Sequence, residues 1–114
     1  MTAPRFLDDP AYRCLRDGDL EGYHRAIEGR KLVDFSGTDL RGVDFRRADL
    51  SKIILRDAYL RDGDLRGCDL RHLDLEGASM ERAKIAGVYF PRSVSAEEIR
   101  LSVECGTRIR ANKA

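Results

Sequence analysis

The chain has 114 residues, and its 21 basic and 20 acidic side chains leave a net charge of +1. This length predicts a single domain, and the balanced charge argues against long-range attraction to nucleic acid or to an anionic membrane. No apolar run approaches the ~20 residues that span a bilayer, and the N-terminus lacks a secretory signal pattern, so we expect no membrane association.

Residues 1–30 are predicted to form an N-terminal helical cap. Asp9 and Pro10 are typical of an N-cap and first helical residue, and they open a short helix through Leu15. The Asp-Gly-Asp sequence at 17–19 interrupts this helix. A second helix follows, ends near residue 29 and carries three apolar residues on one face: Leu20, Tyr23 and Ile27.

A five-residue period runs from Val33 to Phe90 and is the strongest signal in the chain. Residues two positions before each repeat centre are mostly small or β-branched, so short extended segments with two inward positions alternate with corners. Four such sides make one coil of about twenty residues, and stacked neighbours are about twenty positions apart. The predicted structural core consists of the twelve large apolar centres: Phe35, Leu40, Phe45, Leu50, Leu55, Leu60, Leu65, Leu70, Leu75, Met80, Ile85 and Phe90. Five corners carry a glycine, which suits a positive φ: Gly37, Gly42, Gly67, Gly77 and Gly87.

These repeats resemble the pentapeptide-repeat family, whose motif is a small residue, Asp or Asn, Leu or Phe, and two variable residues. Thr-Asp-Leu-Arg-Gly at 38–42, Ala-Asp-Leu-Ser-Lys at 48–52 and Cys-Asp-Leu-Arg-His at 68–72 are close matches. The resemblance implies a mainly β fold over residues 31–91: a right-handed quadrilateral β-helix of about three coils, with short α-helical flanks at both termini. Five repeats replace the motif's Asp by another residue: Ile54, Tyr59, Ser79, Lys84 and Tyr89.

Residues 92–114 are predicted to form a C-terminal helix and tail. The Ser-Ala-Glu-Glu sequence at 95–98 is a capping box, Ile99 and Val103 lie on one helical face, and Gly106 ends the helix. A stacked coil exposes unpaired backbone at both ends, which terminal units must cover. The sequence leaves open whether the flanks cap these ends or cover the sides. If the C-terminal helix leaves the end near Phe90 uncovered, two copies could meet there.

Outward-facing residues of the repeats form a candidate partner-contact surface. The arginines recur at the stacking distance, and two interpretations apply to them: a docking site for a carboxylate-rich or phosphate-bearing partner, or a solvated face where neighbouring Asp residues neutralise each charge. The sequence favours the second interpretation. Ile54 and Tyr59 occupy outward positions, where either a partner or a terminal helix could cover them. The complete candidate surface is Arg41, Arg46, Arg61, Arg66, Ile54 and Tyr59.

The titratable residues do not form a recognisable reaction centre. His24 and His72 have no Cys or His at metal-ligand spacing, and neither a nucleophile motif nor a glycine-rich phosphate loop is present. Two stacked carboxylate pairs are expected, but a flat wall with arginines nearby argues against metal or acid–base chemistry there. These pairs are Asp44 with Asp64, and Asp49 with Asp69. We therefore expect no enzyme activity, no catalytic or metal-binding residue and no cofactor.

Two functional hypotheses follow from the sequence. The first is a non-catalytic scaffold that binds an unidentified protein partner, with a homodimer as one form of it. The alternative is implied by the family resemblance: some members mimic B-form DNA and modulate type II topoisomerases, but the interleaved arginines and a rod of about 15 Å argue against it. Direct nucleic-acid binding is disfavoured because aromatic residues, on which bases could stack, do not alternate with the arginines. Three cysteines without paired spacing favour a cytoplasmic location.

Overall fold

The N-terminal part of the chain forms two helices. The computed structural model of the protein describes residues 3–112, so the ends of the predicted cap and tail (residues 1–2 and 113–114) lie outside the described residues. Helix α1 spans Pro10–Asp17, and its N-cap Asp9 accepts a hydrogen bond from the Ala11 amide at 2.8 Å. Gly18 ends α1 in the left-handed conformation, and α2 spans Leu20–Ile27. Both predicted helices are confirmed, and α1 extends two residues beyond Leu15.

The repeat region is held together by parallel pairing between residues twenty positions apart. Strand β1 (Val33–Asp34) pairs with β2 (Ile53–Ile54) in the register Val33↔Ile53. The named strands are short because the chain turns after two or three extended residues, so most pairing takes the form of isolated bridges. The predicted stacking distance is confirmed at each parallel bridge within the repeats: Asp39↔Tyr59, Asp44↔Asp64, Tyr59↔Ser79, Asp64↔Lys84 and Asp69↔Tyr89.

The inward side chains form one apolar core. The first ten predicted core residues, from Phe35 to Met80, are all buried. Ile85 and Phe90 are half-buried and pack against that core. These two residues lie in the last part of the repeat, where the number of neighbouring coils falls from two to one.

Corners with positive φ are more frequent than the glycines predict. The five corner glycines have φ between 65° and 77°. Asp57, Asp62 and Arg82 occupy equivalent corners with φ near 60°, a conformation that costs a residue with a Cβ about 1–2 kcal/mol. Neighbouring contacts hold these corners, since the Asp62 amide donates to the Glu81 carbonyl oxygen at 2.9 Å and the Arg82 amide to the Val103 carbonyl oxygen at 3.0 Å.

The N-terminal segment and both N-terminal helices cover the lower end of the repeat, which is the end formed by residues 33–52. Arg5 pairs in parallel with Thr38. From α1, the buried Tyr12 hydroxyl donates to the Asp39 carbonyl oxygen at 2.6 Å, and its ring meets Phe35 edge-on with centroids 5.6 Å apart. From α2, the Tyr23 hydroxyl donates to the Asp49 carbonyl oxygen at 2.7 Å. Backbone groups that a repeat would leave unpaired are thus satisfied by the backbone of Arg5 and by two tyrosine hydroxyls.

The C-terminal helix and tail cover part of the upper end, which is the end formed by residues 73–90. Helix α3 spans Ala96–Cys105 between the N-cap Ser95 and the C-cap Gly106, as predicted. The Met80 amide donates to the Ser102 hydroxyl at 2.9 Å. In the tail, Arg108 pairs antiparallel with Ser79, and the buried Ile109 exchanges two backbone hydrogen bonds of 2.8 Å with Gly77 and Ala78. The flanks therefore cap the backbone at the lower end and at part of the upper end of the repeat.

No helix within residues 3–112 is long and apolar enough to cross a lipid bilayer.

Because of Tyr23, the free energy of unfolding is expected to decrease at alkaline pH. Burial is the main cause that raises the pKa of Tyr23, to about 12, and the nearby Asp49 carboxylate adds to it. An unfolded chain has a tyrosine pKa of about 10. Because the folded value is higher, the stability from the neutral phenol is complete below pH ~10 and is lost as the pH rises through about 12. Denaturant unfolding measured at several pH values across this range gives the free energy of unfolding as a function of pH. This curve should be flatter for Tyr23→Phe than for the parent protein. Parallel curves would contradict the burial of this hydroxyl, and Tyr89→Phe, at an exposed tyrosine, is the matched control.

Candidate interaction surface

The arginines of the predicted contact surface are all engaged with carboxylates. Arg41 pairs with Asp39 at 2.6 Å, and Arg61 pairs with Glu81. Arg46 lies between two carboxylates, 2.9 Å from Asp44 and 3.2 Å from Asp64. Arg66 completes this group at 2.7 Å from Asp64. Each of these arginines therefore has a carboxylate that balances its charge, and one of those carboxylates, that of Asp39, is buried.

These ion pairs keep the carboxylates ionised. The guanidinium of Arg66, as a hydrogen-bond donor, is the main cause that lowers the pKa of Asp64, and Arg46 does the same for Asp44. Arg71 lowers the pKa of Asp69 to about 2. A carboxylate of this kind accepts hydrogen bonds over the whole physiological pH range and is poorly suited to donate a proton.

The two predicted carboxylate stacks differ. Asp44 and Asp64 are bridged in parallel, with the Arg46 guanidinium between their carboxylates. No bridge joins Asp49 to Asp69 in the described part of the chain. The Asp49 carboxylate instead accepts hydrogen bonds from the amide and the hydroxyl of Ser51 at 2.9 and 2.6 Å. Within residues 3–112, no group of three or more His, Cys, Asp and Glu side chains is placed to hold a metal ion.

The two apolar positions of the predicted surface are half-buried. The C-terminal tail reaches Tyr59: the Arg108 guanidinium donates to its hydroxyl at 2.6 Å and lies 4.9 Å from the ring centroid. Ile54 lies in β2, beside Asp34 of β1. The sequence left open whether a partner or a terminal helix covers Tyr59. In the structure, the C-terminal tail contacts it.

A cleft of about 420 Å³ lies beside the junction of the N-terminal helices with the repeat. Its lining includes Cys14, Leu20 and Arg47. Burial is the main cause that raises the pKa of the Cys14 thiol, and Asp19 raises it further. Because the thiolate is the reactive form of cysteine, this environment disfavours a nucleophilic role.

The upper end of the repeat contains a backbone edge that the C-terminal flank leaves uncovered. One coil below it, the amides of Leu65, Gly67 and Leu70 donate to the carbonyl oxygens of residues 84, 86 and 89 at 2.8–2.9 Å. Twenty positions later, the corresponding amides have no hydrogen-bond partner among residues 3–112, and two carbonyl oxygens also lack one. We call this set the open edge: the amides of Ile85, Gly87 and Phe90, and the carbonyl oxygens of Ala83 and Val88.

Apolar side chains accompany the open edge. Ile85, Val88 and Phe90 are half-buried, and Tyr89 is 58% exposed, with the Arg71 guanidinium 4.8 Å from its ring centroid. The sequence pointed to Phe90 as an apolar end. The extent of the open edge follows from the paths of α3 and the tail, which the repeat pattern does not specify.

Parallel pairing at twenty-residue intervals, with inward apolar centres every five residues, defines a repeat protein whose successive turns stack on one another. The family model for pentapeptide repeats matches residues 32–52 and 53–90, with eight copies of the repeat. The chain belongs to the pentapeptide-repeat family, whose repeats generally form a β-helix. No curated protein and no solved structure matches the chain significantly.

Proposed function

We propose that this chain is a non-catalytic protein-interaction scaffold, built as a right-handed, four-sided β-helix of about three coils and located in the cytoplasm. Its partner is another protein, and the contact is centred on the open edge. Rigid repeat proteins without a reaction centre commonly serve as recognition surfaces.

The open edge is the single observation that carries this proposal. Unpaired strand edges with apolar neighbours readily take up further strands, so proteins normally cover or blunt them. Here the lower end is covered by two helices and a paired segment, and part of the upper end is covered by α3 and the tail. Within residues 3–112, three amides and two carbonyl oxygens at the upper end have no hydrogen-bond partner and are available for a partner protein.

The titratable groups support a non-catalytic role. Arginine contacts lower the pKa of the wall carboxylates Asp44 and Asp64, and burial raises the pKa of the Cys14 and Cys68 thiols. These directions stabilise ion pairs and packed thiols, whereas a general acid or a nucleophilic cysteine needs the opposite shifts.

The alternative function, DNA mimicry toward a type II topoisomerase, requires a predominantly acidic surface. On this chain, ion pairs with arginine neutralise the carboxylates of the wall, and the net charge is +1. A supercoiling assay with purified gyrase is therefore expected to give no inhibition and no protection at micromolar protein. Either effect would favour the alternative.

The scaffold function is tested by affinity capture from the native cytoplasm with matched variants. Tyr89→Asp places a charge beside the open edge, and Leu32→Asp places the same charge on another exposed apolar residue, 65% exposed, at the start of the repeat. We expect the parent protein and Leu32→Asp to retain the same partner, and Tyr89→Asp to lose most of it. Absence of any retained protein, or equal loss in both variants, would overturn the proposal. Light scattering at twice 12.9 kDa would instead identify a second copy as the occupant.

A further inference from the structure

We infer that one side of the open edge, at residues 83–87, takes up an extended segment of another protein, in which apolar residues alternate with acidic ones. This inference rests on the proposed scaffold function and specifies its partner. The segment would add a strand to the end of the repeat and leave the folded chain otherwise unchanged.

The backbone geometry of residues 83–87 fits a single added strand, whereas Val88 and Phe90 lie on the adjoining side, beyond the Gly87 corner. The coil below the open edge uses the equivalent amides and carbonyl oxygens to bind the next coil, and the open edge repeats that pattern without a neighbour in the described part of the chain. In β-augmentation, an extended peptide satisfies such a row through its main chain, and alternate side chains provide selectivity. The tail already binds in this way beside the open edge, where Arg108 pairs with Ser79.

Helix α3 favours a narrow occupant over a second complete repeat. It is attached to the upper end through the hydrogen bonds from Met80 to Ser102 and from Arg82 to Val103. A helix with its side chains is about 10 Å thick, whereas paired strands lie about 4.8 Å apart. A second copy stacked coaxially would meet α3 before its own edge came within hydrogen-bonding distance. A single extended segment can lie beside α3.

The side chains at the open edge determine the chemistry of the segment. The inward residue Ile85 is half-buried, so an apolar residue above it would extend the core. On this side the outward residue is Lys84, which is exposed and has no carboxylate partner among the described residues. Arg92, just beyond the edge, likewise lacks an acidic partner within residues 3–112.

The acidic residues nearest this end are already engaged. Glu81 pairs with Arg61 and Arg82, and Asp74 pairs with Arg56. The Glu76 carboxylate accepts a hydrogen bond from the Ala111 amide at 3.1 Å. Among the described residues beside the open edge, the charges without an ionic partner are therefore those of Lys84 and Arg92, which are positive. Charge complementarity then requires acidic residues at the outward positions of the segment.

The test is a titration of the isotope-labelled full chain with synthetic octapeptides, followed by amide hydrogen exchange. One peptide alternates Val and Glu, and the matched control alternates Val and Lys. We expect the Val–Glu peptide to protect the amides of Ile85 and Gly87 and to bind at least about fivefold more tightly than the control. Lys84→Glu should reverse this preference, whereas Lys31→Glu, at an exposed lysine distant in sequence from the open edge, should leave it unchanged.

Three outcomes would overturn the inference: no protection of these amides, equal binding of both peptides, or protection without peptide that rises with protein concentration. The last outcome identifies a second copy as the occupant. The inference and the scaffold function can fail separately. A captured partner whose binding depends on Tyr89 but which does not compete with the Val–Glu peptide would preserve the scaffold and exclude the acidic segment.

Discussion

Replacing Leu65 by alanine is expected to lower the free energy of unfolding by about 3 kcal/mol. Leu65 lies in the middle of the repeat and has no exposed surface. The substitution removes buried apolar atoms and leaves a cavity, because the coils above and below are fixed by backbone hydrogen bonds and cannot collapse into it. Denaturant unfolding followed by circular dichroism measures the change.

The matched control for Leu65→Ala is Leu32→Ala. Leu32 is 65% exposed, so its truncation should change stability by less than about 0.5 kcal/mol. A loss below about 1 kcal/mol for Leu65→Ala would contradict the assignment of this residue to a close-packed core.

Replacing Tyr12 by alanine is expected to lower the free energy of unfolding by about 3–5 kcal/mol. Tyr12 is 2% exposed and joins α1 to the lower end through its contacts with Asp39 and Phe35. Tyr12→Phe keeps the ring packing and removes the hydroxyl, so we expect a loss of only about 1 kcal/mol. Denaturant unfolding of both variants separates packing from hydrogen bonding.

Tyr89→Ala is the matched control for the cap, because Tyr89 is exposed at the opposite end of the repeat. Its stability should stay within about 0.5 kcal/mol of the parent value. If Tyr12→Ala were equally mild, the N-terminal helices would not stabilise the lower end.

The stacking register and the helices could be predicted because they depend on local patterns. A five-residue period determines which side chains face inward, and Asp9, Ser95 and Gly106 mark helix boundaries through short-range capping contacts. The reciprocal contact of the predicted capping box was less predictable. The Glu98 carboxylate binds the amide and guanidinium of Arg110, which the tail brings back to the helix N-terminus.

The contact surface was harder to predict because stacking brings distant residues together. From the spacing, Arg46 was expected beside Arg66. The structure places the Asp64 carboxylate between the two guanidinium groups. The contact of Arg108 with Tyr59 joins residues 49 positions apart, and no periodicity connects the tail to the repeat.

The positive-φ corners at Asp57, Asp62 and Arg82 were also not predictable, since no glycine marks them. Their conformation follows from the coil as a whole: the preceding and following sides must stay in register with their neighbours. The open edge has the same origin, because it depends on where α3 and the tail stop covering the upper end.

Amide hydrogen exchange of the free protein tests most directly whether the paired repeat ends in an open edge. Leu65, Gly67 and Leu70 donate to the coil above, whereas Ile85, Gly87 and Phe90 occupy the same positions one coil later without a partner among residues 3–112. We expect the first three amides to exchange more slowly than the last three by a factor on the order of a thousand. Equal protection of the two sets in the monomer would contradict this account.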